Sequence, residues 1–246
     1  MAVSGAGAVA QNVILGKTNS HIEHSALDSG GDVSLNAAST AGISSTVVAA
    51  SLAIGGGGTA GIGASIGVAV AQNFIDWDSN ATVPDIGAYI IDTAVIADGE
   101  LTLAANADQT INAFVLSGSA AVGAGGAAGI GVSGSGVWGE NKIDVDVTSF
   151  IDGTGGDDIQ VDALTITAED SSLINAFAGA ASLAGSFGGA AGVSVSIGVS
   201  LAENSISNEV DAFTDNADTL MTKVDATTIS ATESPTINAL PAPPSL

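Results

Sequence analysis

Ile174–Asn204 reads INAFAGAASLAGSFGGAAGVSVSIGVSLAEN, and the alternation inside it decides the fold. Phe177, Leu183, Phe187, Val193, Val195, Ile197, Val199 and Leu201 share one parity. Ala176, Ala178, Ala180, Ser182, Ala184, Gly192, Ser194, Ser196, Gly198 and Ser200 share the other. A period of two is the signature of a strand, whose successive side chains point to opposite faces. Frequent glycine and the wrong period argue against helix. Residues 44–70 repeat the pattern, with Val48, Leu52, Ile54, Ile62, Ile66, Val68 and Val70 on the bulky side, and residues 112–138 repeat it more loosely. The expectation is that bulky faces point to a core and tiny faces let sheets approach closely.

Working outward, the stretch is one copy of a repeat. Ile-Asn-Ala occurs at Ile111, Ile174 and Ile237, evenly stepped, with a degenerate copy upstream at Ile43, a slightly longer step away. A Gln/Glu-Asn marker falls at Asn12, Asn73, Asn141 and Asn204. The spacing from Ile43 to Asn73, from Ile111 to Asn141 and from Ile174 to Asn204 is identical, whereas from each marker to the next Ile it is 31, 38, 33 and 33. One half of the unit is therefore fixed in length and the other tolerates insertion. This is a repeat array, and arrays are more often scaffolds than sites of chemistry. Residues 1–240 divide into a partial unit 1–42, units 43–110, 111–173 and 174–236, and the start of another at 237–240, followed by a Pro-rich tail at 241–246. Both ends fall out of phase with the repeat, so the chain reads as a segment of something longer, joined to further repeats of its parent chain.

A glycine pair bisects each uncharged run: Gly57-Gly58, Gly125-Gly126 and Gly188-Gly189. A two-residue hairpin turn there would set bulky faces against tiny ones, yet the bulky parity is the same in both arms. Either the turn has an odd number of residues or the glycines mark a solenoid corner. The acidic half adds two shorter strands, typified by Tyr89-Ile90-Ile91 and Leu101-Thr102-Leu103, giving about four strands per unit. The marker residues Asn12, Asn73, Asn141 and Asn204 form a structural ladder if stacked in register, or end strands as turn formers. The expected fold is an all-β, parallel β-helix-like repeat β-solenoid of about 63 residues per unit; the alternative is a stack of long antiparallel hairpins.

The charge is one-sided. Twenty-six acidic residues face three lysines and no arginine, for a net charge of −23. Such a surface repels phosphate, which excludes nucleic acid as a partner and disfavours an anionic membrane. No cysteine is present, so stability rests on packing and backbone hydrogen bonds. The N-terminus shows no basic region or cleavage-like site.

Val68–Asn73, Ala88–Ile91, Gly99–Leu103 and Ile111–Ala113, with their counterparts in the other units, resemble the repeats of giant bacterial surface proteins, the leukotoxin-type filamentous adhesins built of β-strand repeats. The resemblance covers nearly the whole chain. It implies a β-helical filament, extracellular or on the bacterial cell surface, attaching to an unidentified component of a host or neighbouring cell. It supplies no catalytic residues.

Candidate chemistry is sparse. Asp152-Gly153-Thr154-Gly155-Gly156-Asp157-Asp158-Ile159-Gln160 is similar to the calcium-binding nonapeptide, and Asp152, Asp157 and Asp158 are its candidate metal ligands. Calcium rolls use consecutive copies, and here there is one, so an acidic Gly-rich turn is the plainer reading and no cofactor is required. Asp76, Asp78 and Asn80 have the alternate spacing of an EF-hand start but lack its glycine and distal glutamate. His21 and His24 are the only histidines, and i,i+3 on a strand sets them on opposite faces. Carboxylate pairs such as Asp144 and Asp146 arise by chance in so acidic a chain. No enzyme is expected. The main reading is a non-catalytic stalk or passenger segment of a large adhesin, with recognition through exposed loops such as the insertion at Thr82–Gly87. The alternatives are a membrane-inserting, pore-forming segment, for which strand arms of about ten residues have the right length, and a calcium-stabilised module that binds carbohydrate or a surface.

Overall fold

The computed structural model of the chain describes residues 1–77, 85–153, 158–217 and 219–241. It is all-β, and every strand pairing among these residues is parallel. The chain winds through four coils of five strands each. The first holds β1 (Ala2–Ile14), β2 (Thr18–Glu23), β3 (Ala26–Ser29), β4 (Val33–Ser39) and β5 (Gly42–Gly57). The second holds β6 (Ala60–Ile75), β7 (Ile86–Ile91), β8 (Ala94–Ala97), β9 (Glu100–Ala107) and β10 (Thr110–Gly125). The third holds β11 (Ala128–Ile143), β12 (Asp146–Asp152), β13 (Asp158–Val161), β14 (Ala163–Asp170) and β15 (Leu173–Gly188). The fourth holds β16 (Ala191–Ile206), β17 (Glu209–Asp215), β18 (Thr219–Thr222), β19 (Thr227–Glu233) and β20 (Thr236–Pro241). Like strands of successive coils pair, so five four-stranded sheets run the length of the stack. This is a β-solenoid; the stacked antiparallel hairpins are not formed.

The unit carries five strands rather than four. The additional one (β3, β8, β13, β18) is four residues long, too short for alternation to stand out from noise. Register is strict: Ile43, Ile111, Ile174 and Ile237 lie in one row of the stack. Unequal coil length is absorbed between strands. Only Leu15, Gly16 and Lys17 separate β1 from β2, whereas β6 and β7 are joined by residues 76–85.

The glycine pairs are corners. β5 ends at Gly57 and β6 begins at Ala60, yet β5 bonds to β10 while β6 bonds to β1 and β11. The chain thus passes from one sheet to the sheet facing it. A corner keeps the inward parity inward, which is why both arms share it. Backbone N–H groups of Ala127 and Ala190 bond to the carbonyls of Thr59 and Ala127, carrying the corner itself from coil to coil.

Two bodies of packing result. The short sheets and the base of the long strands enclose a branched aliphatic core, including Ile75, Ile90, Leu101, Leu103, Ile111, Ile143, Ile159, Leu164, Ile166 and Ile174. Beyond it the long strands project as a two-layer fin. Here the expectation that bulky faces point inward is overturned. The tiny faces fill the fin: Ala49, Ala53, Ala69 and Ala71 are buried, with a second small cluster built around Val47, Val115 and Val137. The bulky side chains point outward, leaving Leu52 60%, Ile54 66% and Ile66 61% exposed. The cause is backbone proximity. A Cβ added to Gly61 would land on the carbonyl oxygen of Ala124, and one added to Gly129 on that of Phe187. Where backbones approach this closely, around Gly61, Gly63 and Gly129, no larger side chain fits between the sheets, and Val47, Val115 and Val137 are accommodated nearer the body.

Candidate functional site

The structure assembles lines of like side chains rather than a constellation of unlike ones. Because coils stack in register, any side chain that recurs at the step meets its own counterpart about 4.8 Å away. Asn12, Asn73, Asn141 and Asn204 occupy one inward row where fin meets body. Nδ2 of Asn12 donates to Oδ1 of Asn73 at 2.8 Å, Asn73 to Asn141 at 2.7 Å, and Asn141 to Asn204 at 2.8 Å. Each interior amide both donates and accepts, so the buried Asn73 and Asn141 are satisfied by the ladder alone. Further lines went unanticipated. Asn238 donates to Asn175, and Asn175 to Asn112, at 2.9 Å each, on the outer surface. The recurring Ile-Asn-Ala itself was the signal for that second ladder. Inside the fin, Ser51 faces Ser65, Ser119 faces Ser133 and Ser182 faces Ser196, all at 2.7 Å. These hydroxyl rungs tie the two sheets together.

Aromatic rings stack by the same rule. His21, Tyr89, Phe150 and Phe213 form a column with centroids 5.0, 5.0 and 5.1 Å apart and interplanar angles of 7° to 8°. Phe114 and Phe177 stack at 5.0 Å on the outer side of the fin. His21 is thus one ring of a pile, and His24, in the left-handed region at φ 51°, lies 4.0 Å from Asp92. The two histidines serve separate surroundings.

At the foot of the fin the outward rows turn polar. Gln72 donates to Glu140 at 2.9 Å, Lys142 pairs with Glu140 at 2.7 Å and with Glu203 at 3.8 Å, and its ammonium lies 4.4 Å from the Trp77 ring centroid. The hydrogen bonds from Lys142 and then Gln72 lower the Glu140 carboxyl below its usual range, and the bond to Glu140 raises Lys142. Near the insertion, Oδ1 of Asp76 accepts the Gly16 N–H at 2.7 Å, and Lys17 pairs with Asp85 at 3.3 Å. Burial pushes the Asp76 and Asp144 carboxyls up, and the negative charge of Asp85 adds to both.

The sequence-derived metal ligands are not drawn into a site among the described residues. Asp152 closes β12, where its Oδ1 accepts Nδ2 of Asn216 at 3.3 Å, and Asp158 opens β13. Asp157 lies outside the described residues, as do Asp78, Asn80, residues 82–84 of the insertion and residues 242–246 of the tail. No group of three or more His, Asp or Glu able to hold a metal occurs among the described residues. Asp146 accepts the Thr148 hydroxyl at 2.6 Å, a local strand-end bond. Gly57, Gly58, Gly125, Gly126, Gly188 and Gly189 form the fin's tip, where an open depression is lined by Gly57, Gly125, Gly188, Gly189 and Phe187.

Comparison with protein-family models, with curated proteins and with solved structures finds no match to this chain.

Proposed function

We propose that this chain is a structural, non-catalytic stalk or passenger segment of a large secreted or surface-anchored bacterial adhesin, a filament in which added length is the product. One observation carries the reading. Every coil presents the same five hydrogen-bonding edges in the same register, and the outermost coils leave those edges and part of the interior uncovered. Ile14, Ile22 and Leu27 are only partly buried at one end, and Ile229 and Ile237 are exposed at the other. Further coils fit on either side without altering the existing ones. The strongly acidic surface supports an extracellular filament that repels its neighbours except where shape compels contact. The resemblance to filamentous adhesins supports the same assignment, with recognition carried by loops of the variable half.

Variants with one, two or three extra copies of unit 111–173 inserted after residue 173 test the reading. Each copy should lengthen a single rod, seen by small-angle scattering, by about 4.8 Å, the spacing of paired strands, and each should raise the unfolding free energy as a nearest-neighbour array does. Separate beads, or a stability that falls with each added unit, would refute it.

A further inference from the structure

The outer face of the sheet formed by β1, β6, β11 and β16 is ridged. In β6 the outward residues at the middle of the fin are Ile66 and Val68, and in β16 they are Ile197 and Val199. In β1 and β11 the matching positions are Gly5 and Gly7, and Gly134 and Gly136. Bulk therefore alternates from coil to coil: groove, ridge, groove, ridge. The ridge side chains are 44–61% exposed. The grooves are empty: a Cβ on Gly7 or Gly136 would meet nothing within 4 Å, and on Gly134 only the Ile197 carbonyl at 4.0 Å. Nothing inside this chain requires glycine at those points, and exposed strands favour β-branched residues there. Glycine on a strand face often marks the close approach of another chain.

We infer that this face is a self-docking surface, on which a second copy of the chain seats its ridges in these grooves. A two-fold axis along the strands, between β6 and β11, exchanges first coil with fourth and second with third. Ile66 and Val68 then lie over Gly134 and Gly136 of the partner copy, and Ile197 and Val199 over the partner's Gly5 and Gly7. All four strands match in one operation, as an isologous interface requires. The flanking rows are apolar on both sides but do not alternate in bulk. Trp138 meets the partner's Val70, Leu201 the partner's Val9, and Val132 the partner's Ala64. At the polar foot of the fin, Glu140 meets the partner's Gln72 and Glu203 the partner's Gln11, so no carboxylate faces a carboxylate in a chain of net charge −23.

The size suits such a pair. Four strands at about 4.8 Å by about 11 residues at 3.3 Å is roughly 700 Å² a side, close to the ~800 Å² per partner of a standard stable interface. Shape selects this occupant over a lipid surface, because hydrocarbon chains need no grooves at a two-strand spacing and the fin's unpaired strand edges suit water better than lipid.

The test is Gly134→Ile with Gly136→Val in the full chain. These side chains enter open space, so the melting temperature of the variant should hold or rise. Sedimentation velocity should show the natural chain as a dimer at about 10 μM and the filled-groove variant at least about tenfold weaker. Adding Ile66→Gly and Val68→Gly exchanges ridge and groove at the two-fold and should restore dimerisation. End-to-end association through uncovered coil edges would be untouched by groove filling, so an oligomer that persists in the variant overturns the inference without touching the stalk reading. A natural chain that stays monomeric at about 100 μM, or that floats with phosphatidylcholine vesicles instead of pairing, also overturns it.

Discussion

Asn73 is the place where the stack is most exposed to a single change. Its amide is fully buried, accepts from Asn12 and donates to Asn141 at 2.8 and 2.7 Å. Asn73→Ala removes both bonds, each with a net value near about 1 kcal/mol. It also strands the buried Asn141 Oδ1, at about 1–2 kcal/mol for an unsatisfied acceptor. The half-buried Asn12 can turn its amide to water, so the total is about 3–4 kcal/mol. For a chain of this length that lowers the melting temperature by roughly 6–16 °C. Asn12→Ala at the open end removes one partly solvated bond and should cost only about 1 kcal/mol. Asn73→Asp keeps the shape and the bond from Asn12 but sets an oxygen against the Asn141 oxygen and buries a charge. It should be worse than alanine at pH 7 and recover as acid protonates it. Circular dichroism melts of the three variants at pH 7 and 4 are sufficient. Equal losses at positions 12 and 73, or a harmless aspartate at pH 7, would refute the ladder as a source of stability.

Gly129→Ala should destabilise by about 3 kcal/mol or more, because backbone on both sides prevents relief, whereas Gly136→Ala, open to solvent, should be neutral or stabilising by about 0.5 kcal/mol; denaturant titration of the pair would expose an error if both behaved alike. Phe150→Ala breaks the ring column at its centre and should cost about 2–3 kcal/mol at this half-buried position, with a smaller loss for Phe213→Ala at the end of the column; equal losses would contradict the stack. Burial raises the Asp76 carboxyl, so its folded state favours the proton: that stability is full below the unfolded pKa and lost as pH rises through the folded one. Asp76→Asn, which keeps the acceptor for Gly16 and tolerates the positive φ of 52°, should therefore melt higher at pH 7 and no differently at pH 3; a lower melt at pH 7 would count against it.

The step and the period of two were legible because both are properties of sequence order, and parallel stacking turns sequence order directly into contact. That is why the Asn12–Asn204 row, the strand class and the corner option at Gly57-Gly58 could all be read from residues. Which side of the alternation faces inward could not. A strand with Leu52 on one face and Ser51 on the other satisfies the same periodicity either way round, and hydrophobicity favours Leu52 inside. The decision rests on a distance between sheets that no single coil encodes: Gly61, Gly63 and Gly67 allow backbone to meet backbone, and that contact turns the larger side chains beside them outward. The short strand Ala94–Ala97 was missed for another reason. Four residues carry too little alternation, and its pairing exists only once neighbouring coils are in place.

Strand direction gives the stack a mechanical character. Each coil is one continuous run of chain, held to its neighbour by ladders that lie across the direction of pull. Tension applied to the two chain ends reaches the outermost ladder first and peels one coil while the others stay closed. Each release lengthens the chain by about 200 Å, from roughly 3.3–3.6 Å per extended residue. Single-molecule stretching should therefore show a few similar steps, and one step for the whole array would contradict it. A stack of this kind under tension gives up length in instalments and recovers it by rewinding on the coil that remains.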